Sequence, residues 1–259
     1  MAQPRNGLTP EQLDQYAAEG VVHLPAAVPL ADVEAMAEVI WRRLRTRHGI
    51  RHDQPRSWIT ANPAQLTAKT DELAAMASPR LLAVLDQLLG VGGWTPPERW
   101  GLPLVTLPGF AATWDVPHKG WHLDIQASAE PPRVARIFVL LADLAPGGGA
   151  TGYVTGSHCV LQALAREAGR TLKSGDAREL LTARHPWFAA LFARPNGEDR
   201  IARFMAEAGD AGGVPVRVSE MTGRAGDAYV MDPLILHTTA PNASSTPRLM
   251  LTEWVYGRD

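Results

Sequence analysis

Three side chains in this chain of 259 residues have the chemistry of metal ligands: His122 and Asp124 in "GWHLDIQ", and His237 closing "DAYVMDPLILH". The first two lie two apart in a stretch that reads as extended, with Pro117 and Gly120 upstream and Ile125 downstream. An imidazole and a carboxylate would then share one face of a strand. Such a pair also occurs as a plain histidine–aspartate hydrogen bond at a strand end, and two ligands hold a metal poorly. His237, at the end of an apolar run and just before a polar turn, offers a third ligand from a distant strand. Two histidines and a carboxylate on one side of a metal form the facial triad of non-haem iron(II) sites, which leaves further positions open.

Those open positions suit a bidentate oxo acid such as 2-oxoglutarate, with oxygen as the remaining ligand. The far carboxylate of such an acid needs a planar cation. Arg248 follows His237 by eleven residues, across the turn "TTAPNASSTP", so an antiparallel return would bring it back toward the metal. Thr239 shares the face of His237 and adds a hydroxyl. The plainer reading of Arg248 is a solvated arginine at a hairpin end.

The elements that would position these groups follow from the pattern of the chain. The first ninety residues read as helical, apart from a short strand "VVHLP". "LTPEQLDQYAAEG" carries Thr9 as N-cap, Pro10 in the first turn, Gln12 to close a capping box and Gly20 as a stop. Leu30, Val33, Ala37, Ile40, Trp41 and Leu44 recur at helical spacing up to Gly49, and Ser78-Pro79 opens a further helix that ends at Gly90. From residue 91 short extended runs alternate with turn residues: "PLVTLP", "GWHLDIQ", "VARIFVLLADL", "TGYVTGSH", "VPVRVSEMTG", "DAYVMDPLILH" and "RLMLTEWVYG". That texture predicts a mainly β protein with flanking helices, an antiparallel sandwich or jelly roll.

One domain is expected over 1–259: a helical cover over 1–90, a β core from 91–159 and 214–259, and an insert over 160–213. The insert carries helix-like segments around "LQALAREAG" and "DRIARFMAEAG", and in a compact domain an insert of that length is usually functional or a lid. Its aromatic residues Trp187, Phe188, Phe192 and Phe204 recur too irregularly for one helix face, so they either line a cavity or pack the insert onto the sheet. The tryptophans at 58, 94, 100, 114 and 121 are further candidates to line a pocket, or are simply core.

Composition narrows the function classes. A net charge of -2 with arginines dispersed among acids offers no track for a phosphate backbone, so no nucleic-acid partner is expected. Cys159 is the single cysteine, which excludes an intrachain disulfide and a cysteine-based zinc knuckle and fits a reducing compartment. "MAQPRNGLTPEQ" has no apolar h-region and no apolar run approaches a bilayer's width. The expectation is a cytoplasmic protein with a small-molecule substrate and no membrane partner.

The chain resembles the phytanoyl-CoA dioxygenase family of iron(II)/2-oxoglutarate oxygenases. The resemblance rests on His122-x-Asp124, "GGGATGYVTGSH", "GDAYVMDPLILHTTAPNAS", Arg248 eleven places after His237, and the helix–strand–helix opening, and so spans nearly the whole chain. It implies a double-stranded β-helix, cupin-like, whose Fe(II) is held by His122, Asp124 and His237. Arg248 and Thr239 would bind the far carboxylate of 2-oxoglutarate, and Thr106 and Trp121 are the positional candidates for its near end. The implied reaction consumes O2 and 2-oxoglutarate, releases succinate and CO2, and hydroxylates a small organic substrate. Two other readings stay open: a jelly-roll binding protein without turnover, and a zinc hydrolase built on the same triad.

Overall fold

The computed structural model describes residues 7–59, 68–109 and 113–258. The predicted helical cover forms where the caps lie. α1 (Pro10–Glu19) has the reciprocal Thr9–Gln12 capping box and ends on Gly20, whose positive φ of 76° suits a residue without a Cβ. After β1 (Val21–Leu24), α2 (Leu30–His48) stops at Gly49 and α3 (Pro79–Leu89) is capped by the Ser78 hydroxyl.

The strands are β2 (Trp94–Thr95), β3 (Leu102–Thr106), β4 (Val134–Leu140), β5 (Thr151–Thr155), β6 (Gly209–Asp210), β7 (Pro215–Glu220), β8 (Ala228–Met231), β9 (His237–Thr239) and β10 (Arg248–Gly257). They make two antiparallel sheets. One runs β1-β8-β4-β10-β2, with β3 also paired to β10; the other runs β6-β7-β5-β9. The expected jelly-roll arrangement is thus present.

Alternation along the strands divides the core into layers. On β4, Ala135, Ile137 and Val139 pack with Val33, Met36, Ile40 and Leu44 of α2 and Leu81, Val84 and Leu85 of α3. Phe138 and Leu140 point the other way, into a second core with Tyr153 of β5, Tyr229 and Met231 of β8 and Met250 of β10. A third core lies beyond the smaller sheet, where Val154, Val216 and Val218 meet the insert.

The insert is more helical than expected. α4 (Ser157–Ala168) begins inside the "GSH" motif, and α5 (Ser174–Arg184) and α6 (Pro186–Phe192) follow, whereas "DRIARFMAEAG" forms only a short π-helical turn over Ala202–Ala206. Phe188, Phe192 and Phe204 are buried in the third core and Trp187 packs against it, so these aromatics fasten the insert to the sheet. Among the described residues no helix is long and apolar enough to cross a membrane.

Candidate metal centre

His122 and His237 are brought together by backbone pairing. Each N–H donates to the other's carbonyl, at 2.9 Å from His122 and 3.2 Å from His237. This isolated bridge replaces the predicted "GWHLDIQ" strand, and Asp124 sits in a bend directly after it. The bend folds the carboxylate back. Asp124 Oδ1 lies 3.4 Å from His122 Nε2, and Oδ2 lies 3.2 Å from His237 Nε2. One candidate ligand atom from each residue falls within 4.8 Å of the others.

Both imidazoles are set to present Nε2. The Nδ1 of His122 is 2.8 Å from the Gly120 carbonyl, and the Nδ1 of His237 is 2.9 Å from the Ile235 carbonyl. A carbonyl only accepts, so each Nδ1 carries a proton and each ring turns its Nε2 toward Asp124. Burial, and then the Arg136 cation, push the His237 pKa down to about 3, so its ring is neutral at physiological pH. The His122 side chain is 44% exposed and that of Asp124 23%, which opens the cluster on one side.

Arg136, which the sequence reading did not single out, completes the cluster. Its neighbours Ala135 and Ile137 face the helices, so alternation turns it to the inner face of β4 beside Phe138. Its Nη1 contacts Asp124 Oδ2 and lies 3.1 Å from His237 Nε2, while Nε donates to Thr252 Oγ1 at 3.2 Å. Trp254, also absent from the set of candidate tryptophans, lies under the guanidinium at 4.8 Å. The available signal was a lone charge inside the apolar run "VARIFVLL", because a cation there must find a buried partner.

Arg248 is 4% exposed, and burial pushes its pKa down to about 10. Its Nε and Nη1 are buried without a hydrogen-bond partner. A solvated hairpin arginine is thereby excluded. Across the β10–β3 pair it faces Thr106. Thr239 lies two residues beyond His237 on β9, opposite Thr151, and is exposed.

Trp121 goes elsewhere. It is buried in the core beneath the insert, and its indole N–H donates to the Pro117 carbonyl at 2.7 Å, which removes it as a free donor. Trp58 and Trp94 are buried between helices and sheet, with Trp100 packed against them, and Trp114 packs beneath the insert with Trp121.

The profile of the phytanoyl-CoA dioxygenase family matches residues 4–250. The chain belongs to this family. No curated protein matches it in sequence. Among solved structures, the non-haem α-ketoglutarate-dependent carbocyclase SnoK from nogalamycin biosynthesis is 16% identical with a TM-score of 0.58, covering 100% of this chain and 87% of its own. The epimerase SnoN from the same biosynthesis is 17% identical with a TM-score of 0.55, covering 95% and 81%. HygX from Streptomyces hygroscopicus, with nickel and 2-oxoglutarate bound, is 19% identical with a TM-score of 0.53, covering 97% and 88%. At these identities the likeness is one of fold, and this member of the phytanoyl-CoA dioxygenase family shares its architecture with all three.

Proposed function

We propose that this protein is an Fe(II)- and 2-oxoglutarate-dependent dioxygenase that hydroxylates an unactivated C–H bond of a small, natural-product-like organic substrate. The single observation that carries this reading is Arg248: a fully buried guanidinium with unpartnered nitrogens, on the strand next to the one that turns Arg136 toward His122, Asp124 and His237. A buried cation in that state fits an anionic cosubstrate. A zinc hydrolase activating water with the same triad has no use for it.

His122, Asp124 and His237 would hold the iron through two imidazole nitrogens and a carboxylate oxygen, and Arg248 would fix the far carboxylate of 2-oxoglutarate. Thr106, opposite Arg248, and Thr239, on the His237 face, are the hydroxyls proposed for the remaining cosubstrate contacts. The bound iron, 2-oxoglutarate and O2 supply the oxidising chemistry, with release of succinate and CO2. The protein's own part is to orient ligands, exclude water and present one C–H bond; no side chain is required as a general base.

The insert over 160–213 is proposed as the cover that sets substrate choice. Support comes from Ser174 at the start of α5, whose hydroxyl accepts from Leu123 N and donates to Leu123 O, both at 2.9 Å, between the ligands His122 and Asp124. That attachment favours a fixed wall over a freely swinging flap. Within the insert Arg184 and Arg203 pair with Glu167 and Glu198, which favours a modest substrate, apolar or singly charged, over a polyphosphate carrier such as a CoA thioester.

Anaerobic titration with Fe(II) and 2-oxoglutarate tests the reading. The expected result is a weak visible charge-transfer band that needs both components, followed by succinate formation when oxygen is admitted. Absence of the band, or metal binding indifferent to 2-oxoglutarate, would overturn it.

A further inference from the structure

The environment of Arg136 is that of a cation placed where a metal's charge would be. The guanidinium lies between the rings of Phe138, at 4.9 Å, and Trp254, at 4.8 Å, and is anchored through Nε to Thr252, whose hydroxyl donates to the Ile137 carbonyl at 3.0 Å. Its Nη1 reaches the two groups that a metal would use, the Asp124 carboxylate and the His237 Nε2 lone pair. A guanidinium only donates, so His237 Nε2 is an acceptor here, as it would be toward a metal. On the inner face two arginines, 136 and 248, accompany the carboxylate of Asp124.

Resting on the iron/2-oxoglutarate reading, we propose that Arg136 is a positioning residue that substitutes for the metal's charge, holding Asp124 and His237 ready in the metal-free protein, and that a divalent cation must displace it from His237. The charge count gives this consequence. The two guanidiniums outnumber the Asp124 carboxylate by one positive charge; a dication raises that excess to three, and a dianionic cosubstrate returns it to one. Arg136 therefore opposes metal bound alone and ceases to oppose it once a dianion is present, when its released N–H groups face the incoming carboxylate. The site is built to hold metal and cosubstrate together in preference to metal alone.

The test is a Ni(II) titration, without iron or oxygen, of the unmodified protein and of Arg136→Met and Arg136→Lys, each with and without 2-oxoglutarate. Met keeps the aliphatic bulk between the two rings, and Lys keeps the charge without the fork. Arg136→Met is expected to bind Ni(II) alone about tenfold more tightly or better, equivalent to ~1.4 kcal/mol, and to gain less from 2-oxoglutarate than the unmodified protein does. Lys should fall between them. Equal or weaker binding of Ni(II) alone by Arg136→Met would overturn the proposal and leave Arg136 a mere support for Asp124.

A second measurement does not depend on the variants folding. In the unmodified protein the Nη–H resonances of Arg136 should be protected from exchange without metal and lose that protection on adding Zn(II); unchanged protection would overturn the proposal. Failure of every form to bind Ni(II), with or without 2-oxoglutarate, would remove the functional reading as well, whereas normal binding of both ligands with no effect of Arg136 would remove this inference alone.

Discussion

Arg248 and Thr106 stand opposite one another in the β10–β3 pair, a buried guanidinium facing a hydroxyl-bearing side chain. Charge-assisted hydrogen bonds from such a guanidinium to a carboxylate are worth roughly 1.5–3 kcal/mol each. Arg248→Ala is therefore expected to weaken 2-oxoglutarate binding by about tenfold or more for each ~1.4 kcal/mol lost, with lysine rescuing in part. Thr106→Val should have the smaller effect. Cosubstrate titration of the metal-loaded variants checks both, and an unchanged affinity in Arg248→Ala would assign the anchor to another residue.

Loss of one of the three proposed ligands would leave two, which do not retain a divalent metal against water. His122→Ala and His237→Ala should each lower metal affinity by more than the ~10–100-fold typical of removing a partner that only supports a ligand. His237 is buried and packed and His122 is half-exposed, so the His237 variant should also lose more stability. Metal titration alongside circular dichroism separates the two effects. Full metal binding in either variant would remove that residue from the centre.

Asp227 supplies a pH-dependent part of the stability of the fold. Its carboxylate accepts from Ala26 N at 2.9 Å and Arg224 N at 3.0 Å and pairs with His23 Nε2 at 3.0 Å, joining β1 to β8. Burial acts to raise its pKa, but these donors outweigh burial and hold it below the usual carboxylate range. A carboxyl lowered on folding stabilises above its unfolded pKa of ~3.9 and loses that stabilisation as pH falls through the folded value. Asp227→Asn should cost about 1–3 kcal/mol near neutral pH and less at an acid pH below the unfolded value of ~3.9. Urea denaturation at the two pH values measures this, and equal costs would contradict it.

Arg200 fastens the insert to the segment that leads into the proposed metal ligands. It is 1% exposed and donates from Nε to the Val116 carbonyl at 3.1 Å and from Nη2 to the Leu191 carbonyl at 2.8 Å. Arg200→Met should accelerate protease cleavage within 160–213 and weaken metal binding in parallel, because Val116 lies six residues before His122. Faster cleavage with undisturbed metal affinity would show that the insert and the ligand segment move independently.

Much of this was legible from local chemistry. Caps and stops place α1, α2 and α3, since Thr9, Gln12, Gly20, Gly49 and Ser78 act on their own backbone neighbours. The three candidate ligands stand out by residue type, whereas the depth of Arg248 does not: β9 and β10 lie in different sheets, so "TTAPNASSTP" crosses between the sheets where an antiparallel return was expected, and the arginine enters the core where a solvated hairpin end was the plainer reading. What local pattern could not supply was long-range geometry. The bend at Asp124 exists because His122 pairs with His237, more than a hundred residues away. α5 and α6 escaped notice because their buried faces, Ala177 with Leu181 and Phe188 with Leu191 and Phe192, are too short to display a period. Trp121 was misjudged by adjacency: its neighbour His122 faces the cluster, and alternation sends the indole to the other side.

The alternation of β10 makes this strand intolerant of a one-residue change in length. Arg248, Thr252 and Trp254 face the site, while Leu249, Leu251 and Val255 face the helices, and Glu253 holds Lys69 at 2.6 Å and the Gly101 amide at 3.0 Å on that side. Inserting or deleting a single codon ahead of Thr252 would exchange the two sets over part of the strand, burying carboxylate or leucine where arginine is required and turning cations into the apolar layer. Divergence within this segment is therefore confined to substitution.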